Sequence, residues 1–273
     1  MVLTPKTVLS FDAALALVSG ATLFFAPQKV ADFVFKKETD GVHWHLVRCV
    51  GGQIMASAFF FWRFRNRPAE TQTTCFALRF SSCIFALLLA FNSRSEKPGL
   101  VPAEYLTASI YSAFAILAVY VFLLIKSRWP VGGKLYADHV GGNGLYQLDS
   151  LASIVIGMAW IACPSWLLHR QVNVQLDASH ELCARIMGIL FVAGYVVSAH
   201  ALHWKFQCDR SVAAECRAVC CLFILAAQIW SQIAYKKDWS DNHWVGISLF
   251  STWTVIAFIY RLYIAWAIKE KAN

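Results

Sequence analysis

A set of unlike residues near the start of the chain returns farther along in the same order. Asp12, Gly20, Pro27, His43, Arg48 and Gly51 are matched by Asp149, Gly157, Pro164, His180, Arg185 and Gly188, each 137 positions later. A constant offset across residue types this different marks an internal duplication, so one half must fold into what the other folds into. Small residues keep the same register: Ala16 stands one helical turn before Gly20, as Ser153 stands before Gly157. Each half therefore carries a small-xxx-Gly helix face on which a second backbone can approach closely.

The solvent for these halves follows from composition. Of 273 residues, 58% are hydrophobic and 15% charged, more apolar surface than a soluble core of this size can bury. Crossing hydrocarbon as a helix takes about 20 apolar residues. Stretches of that kind lie near 7–26, 44–64, 73–92, 104–125, 145–164, 181–204, 213–235 and 244–267, eight spans with four in each half. The runs are continuous rather than alternating, which favours helices, with every backbone group satisfied internally, over a barrel. The expected fold is all-α: a polytopic membrane protein built of two parallel four-helix repeats with short interfacial helices. The first repeat covers 1–127, a Gly/Pro linker 128–143, and the second repeat 144–273. An even number of spans per half gives both halves one polarity, related by a pseudo-twofold axis along the membrane normal. The first span is flanked only by Lys6, carries Asp12 and recurs at 145–164, so it reads as a retained span rather than a signal peptide.

Proline-opened segments, Gln28 to Asp40 and Ser165 to Ser179, join the first two spans of each half and read as interfacial helices. Trp44, Trp62, Trp129, Trp166, Trp204, Trp239 and Trp244 fall at expected span ends, as an aromatic belt requires. Basic residues are in excess on the side holding both termini, with Arg63, Arg65 and Arg67 against a span and Arg210 flanking another, which makes both termini cytosolic. Lys269 and Lys271 then resemble a dilysine retrieval tail, read by coat retrieval machinery, and the expected address is the endoplasmic reticulum membrane.

An ionised group inside a span needs a partner. Asp12 and Arg79 lie at similar depth from the same side, and Asp149 and Arg217 repeat them, so two in-span Asp–Arg pairs are expected. At the opposite, lumenal ends sit His43, Arg48, His180 and Arg185, for which Glu104 (toward Arg48) and Glu181 (toward Arg185) are the candidate carboxylates. His43 with Asp40 supplies two metal ligands, but no HExxH or Cys-x-x-Cys spacing completes a set, and no metal or cofactor is expected. His200 and His203 read as interfacial anchors. The nine cysteines fall mostly inside spans, where Cys behaves as a small apolar residue; Cys163 with Cys183 is the one candidate bridge, and Cys208 a candidate palmitoylation site. No Ser-His-Asp set, phosphate loop or paired intramembrane carboxylate carries catalysis, so an enzyme is not expected.

Pro27, Asp32, Val34, Phe35, Arg48, Gly51, Gly52 and Trp62 together resemble the tumour protein p-fifty-three-inducible protein eleven family of four-span membrane proteins, and more loosely the DoxX-like four-helix bundles. The second half keeps Pro164, Arg185 and Gly188 but has Ile189 for the second glycine. The resemblance implies a non-enzymatic multi-span protein, here as a tandem duplication, and it does not extend to the in-span aspartates. The expected function is binding: a scaffold, assembly factor or regulator among membrane lipids and client membrane proteins, with no nucleic-acid partner. The alternative is a transporter or lipid or solute carrier with a cavity between the repeats. A lipid-modifying enzyme would need convergent ionisable groups, and the in-span charges are divided between the halves.

Overall fold

The computed structural model describes residues 4–133, 135 and 140–272, and the side chains of all of these except 140 and 267–272. The regular elements among the described residues are helices: α1 (Pro5–Phe25), α2 (Pro27–Phe35), α3 (Gly41–Phe64), α4 (Ala69–Glu96), α5 (Ala103–Ser127), α6 (Val140–Ala162), α7 (Pro164–Leu168), α8 (Ala178–Ala201), α9 (Gln207–Ala234) and α10 (His243–Ala272), with a short 3-10 turn at Lys236–Asp238. Local chemistry sets their starts. Thr4 caps α1 through a bond from Thr7 N–H, and prolines open α1, α2 and α7 where no N–H partner exists. Asp40 and Asp177 cap α3 and α8 in boxes whose third residue is histidine instead of Glu or Gln.

Seven of these helices, α1, α4, α5, α6, α8, α9 and α10, are long and apolar enough to cross a membrane. The remaining long helix, α3, has 24 residues, but His43, His45, Arg48 and Gln53 lower its hydropathy. It is enclosed by protein on nearly all sides, so its polar groups face neighbouring helices. By contrast α1, α5, α6 and α10 bear large exposed apolar side chains such as Phe11, Tyr111, Leu148 and Leu262.

The halves interlock, which the expectation of two side-by-side bundles did not include. α1 packs along α3 and α6 along α8; α4 pairs with α5 and α9 with α10; but on its other side α3 lies against α9 more than against α4, and α8 against α4 more than against α9. α3, which carries the larger polar load, is enclosed by helices of both halves, and its polar groups meet protein rather than lipid. The small-residue faces work at two equivalent crossings. A Cβ on Gly51 would come within 2.6 Å of Gly20 O, and one on Gly188 within 2.7 Å of Gly157 O, so backbone touches backbone in both halves.

Several expectations are corrected. The second interfacial helix is the five-residue α7, because the chain beyond it pairs with the α9–α10 loop: Asn173 N–H donates to Asp238 O at 2.9 Å and Ser240 N–H to Gln171 O at 2.8 Å. The linker is shorter than its glycines imply, since Gly141, Gly142 and Gly144 are already in α6; Lys134 and residues 136–139 lie outside the described residues. Trp204 and Trp239 are buried in the core, not in a belt. Arg210 is fully buried, its guanidinium bonded to Asn143 and set 5.2 Å from the Tyr146 ring, so it is no surface charge. All nine cysteines are free thiols, Cys163 and Cys183 included.

Candidate functional site

The structure brings the four in-span charges together as pairs. Arg79 Nη2 reaches Asp12 Oδ1 at 2.5 Å and its Nε reaches Oδ2 at 2.9 Å, a bidentate fork from α4 to α1. Tyr120 of α5 donates to the same carboxylate, and Phe61 of α3 covers the guanidinium at 4.8 Å. In the second half Arg217 Nε stands 2.8 Å from Asp149 Oδ1 and its Nη2 donates to Ser153 Oγ at 2.7 Å. Ser198 donates to Asp149 Oδ2 at 2.5 Å, Trp253 Nε1 to Oδ1 at 3.1 Å, and the Trp253 ring lies 5.0 Å from the guanidinium. Tyr120, Ser198 and Trp253 carry no in-span charge, so a search for charges passes over them.

Between the two guanidiniums lies a crevice of about 60 Å³, lined by Gln53, Ser57, Arg79, Ser198, Cys216 and Arg217 among others. That is room for a few waters at most. Each of these four charges is paired inside its own half, and the crevice between the guanidiniums is too small for a solute.

At the end of the bundle away from the termini, the caps of α3 and α8 meet. His43 Nδ1 lies 3.0 Å from its own cap Asp40, and its Nε2 lies 2.7 Å from Ser179 Oγ of the other half. His180 Nδ1 lies 2.9 Å from Asp177 and its Nε2 3.0 Å from Asp40 Oδ2. The two buried rings stand 3.7 Å apart, and Lys37 bonds Asp177 across the same seam. Asp177 repeats Asp40 at the 137 offset, a signal present in the sequence. Burial alone would raise the Asp40 carboxyl, but hydrogen bonds from His180 and His43 outweigh it and hold the group well below the usual carboxylate range. Burial likewise opposes ionisation of Asp177, and its bonds from Lys37, Ser179 and the His180 backbone prevail. A depressed carboxyl contributes stability that is fully present above the ordinary Asp value of about 3.9 and is lost as pH falls through the folded value. The expected result is a loss of stability that sets in below about pH 4 and that Asp40→Asn lessens while Asp177 keeps its own share, since Asn still caps a helix; thermal denaturation in detergent from pH 3 upward checks the onset.

Asp40, His43 and His180 also place one ligand atom each within 4.8 Å of one another. Sequence spacing showed no third ligand because it comes from the other half. These atoms already satisfy one another by hydrogen bonds, so the cluster is complete as a tie between halves.

Glu104 does not meet Arg48; it pairs with Lys36 at 2.8 Å, which the α2 turn swings toward α5. Arg48 instead donates to Phe24 O at 3.0 Å and lies 5.6 Å from the Trp230 ring. Arg185 stands 3.6 Å from Glu181 and 3.5 Å from Asn92. His200 bonds Thr74 across halves at 2.9 Å, and the half-buried His203 lies 3.1 Å from Gly133 O. The side chains of Lys269 and Lys271 lie outside the described residues.

Three larger hollows open at the flanks: about 560 Å³ beside α1, α4 and α5, about 550 Å³ beside α6, α7 and α10, and about 270 Å³ between α6 and α10 nearer the termini.

These features define an all-helical protein with apolar helices of membrane-spanning length, in which Asp12 and Asp149 are each paired with an arginine. The chain belongs to a family described as a domain of unknown function (DUF8292), which matches residues 10–262 and so takes in both halves. No curated protein and no solved structure is significantly similar to the chain.

Proposed function

We propose that this protein is a non-enzymatic, multi-pass membrane protein of the endoplasmic reticulum that acts by binding other membrane proteins as a scaffold, assembly factor or regulator. In this reading α3 is an eighth span shielded by its neighbours, the two four-helix repeats share one polarity, and both termini are cytosolic. The observation that carries it is the closed midline: paired charges flank a crevice of about 60 Å³, where a solute path between repeats would need an open, wet cavity. The exposed apolar faces of α1, α5, α6 and α10 provide lateral surface for lipid and for client helices. The family resemblance to four-span membrane proteins fits the same reading. Lipid carriage remains the second reading, favoured by the flank hollows of about 550 and 560 Å³.

The address and polarity are tested together. A tagged chain is expected to resist alkaline extraction, to co-localise with the endoplasmic reticulum, and to move to later compartments on joint Lys269→Ser and Lys271→Ser substitution. A membrane-impermeant thiol reagent applied from the cytosolic side is expected to label exposed Cys208 and not exposed Cys163. The reverse labelling, or unchanged localisation of the lysine variant, overturns the corresponding part. Photocrosslinkers at Phe11 and Tyr111 in membranes are expected to capture defined membrane proteins; capture of lipid alone overturns the scaffold reading.

A further inference from the structure

The hollows beside the two halves occupy matching places by the repeat offset, and their linings differ at one end. Leu23, Val30, Ala31 and Ala86 line the first, and Trp160, Leu167, Leu168 and Ile224, their counterparts by the 137 and 138 offsets, line the second. Where the first has Val34, Ala90 and Leu182, the second has Gln171, Gln228 and His45. The two cavities thus occupy matching places, and the second is polar at one end where the first is apolar.

That polar end is not satisfied internally. Gln228, Trp239 and His243 all line the second cavity, at 5%, 4% and 1% exposure, and each keeps one polar atom without a hydrogen-bond partner: Gln228 Oε1, Trp239 Nε1 and His243 Nε2. Buried polar atoms in native proteins are almost always paired, so three orphans at one pocket call for an absent partner. Their chemistry specifies it. His243 Nδ1 lies 2.7 Å from Gln232 Oε1, which can only accept, so in the neutral ring Nδ1 donates and Nε2 is an acceptor. The set is two acceptors and one indole donor. A hydroxyl answers it, donating its proton and accepting from the indole. A phosphodiester, which only accepts, would face two acceptors at this end, and Arg170, the cation on the cavity's lining, is set 5.4 Å from the Trp166 ring. Gly246 keeps the space clear, since a Cβ there would stand 3.1 Å from Gln228 Nε2 and 3.5 Å from Gln171 Oε1.

Beyond these and the neighbouring His45, Arg170, Gln171 and Asn242 the lining is apolar, and the cavity does not end at the polar pocket. It shares Ile156 and Leu249 with the hollow of about 270 Å³ between α6 and α10, lined by Leu145, Leu148 and Ala152. A hydrogen-bonding end joined to an apolar groove is the form of an amphiphile site.

We propose that the groove between α6 and α10 binds a lipid with an uncharged hydroxyl head, the head among Gln228, Trp239 and His243 and the tail laid along Ile156 and Leu249 toward Tyr146. The inference rests on the membrane-embedded reading, which fails or stands by alkaline extraction without any lipid probe. Sterols, ceramides and diacylglycerols all present such a head, and the first two serve as the probes. The full chain in detergent micelles is labelled with a photoactivatable 3-hydroxysterol, a photoactivatable ceramide and a photoactivatable phosphatidylcholine. Saturable labelling of α6 or α10 by the sterol or by the ceramide is expected, and which one labels assigns the source. The O-methyl ether of that lipid is expected to compete roughly tenfold less well than the parent alcohol, the effect of one lost hydrogen bond. Gln228→Leu is expected to weaken labelling by a similar factor, with Ser93→Ala in the sister cavity leaving it unchanged. Absence of saturable labelling by both alcohols, equal competition by the ether, or equal saturable labelling by phosphatidylcholine overturns the proposal. The ether comparison uses the wild-type chain, so it decides even if Gln228→Leu does not fold.

Discussion

Replacing Arg79 by Met while Asp12 stays is expected to destabilise the protein by about 3–5 kcal/mol, the usual cost of stranding one member of a buried ion pair. The carboxylate would keep only the Tyr120 hydroxyl, in a site with 13% exposure and apolar neighbours. Asp12→Asn combined with Arg79→Met is expected to return most of the loss, because replacing both members by neutral groups is often close to neutral. Arg217→Met beside Asp149, alone and with Asp149→Asn, repeats the cycle in the second half, where Ser198 and Trp253 also hold the carboxylate. Denaturant titration in detergent micelles measures all of these. A harmless single substitution would show the pair to be loosely held. A double variant as damaged as the single one would show that the charges do more than tie helices, and would favour the transporter reading.

The pairing was legible because depth along a span is legible: residues at equal distance from one membrane face, repeated once, have few places to go. What the sequence concealed was sidedness. Nothing in a linear pattern says that α3 turns toward α9 instead of α4, so Glu104 looked available to Arg48 when Lys36 was nearer. The same blindness hid the cap cluster, since Asp40 and His180 come from different halves and form a site only after the interlock. Arg210 and Trp204 were misread for a related reason: both flank a span, and both are turned inward, by Asn143 and Tyr146 for the arginine and by Phe64 for the indole. The orphaned polar atoms around His243 had no signal beyond composition, because a missing partner shows only when every neighbour is in place.

Gly51→Leu tests the duplication most directly. Its Cβ would stand 2.6 Å from Gly20 O and 2.7 Å from Phe24 N, and both are backbone atoms that cannot rotate aside. α1 and α3 would have to separate, breaking the Arg48 bond to Phe24 O as they move. Overpacking of this kind costs about 1–3 kcal/mol in ordinary cores, and a backbone collision belongs at the upper end. Gly188→Leu meets Gly157 O at 2.7 Å and Trp160 Cβ at 2.9 Å, so the loss in the second half should agree with the first to within about 1 kcal/mol. Gly133→Ala, with nothing within 4 Å of the added carbon, is the control expected to change nothing. Unequal losses would mean that only one crossing bears the load. Because α3 and α8 also lie against each other, the joint Gly51 and Gly188 variant should lose more than the sum of its parts. Separating either central helix from its partner also displaces the cap cluster that joins the halves, and simple additivity would mean that the two crossings fail independently and the interlock transmits nothing between them.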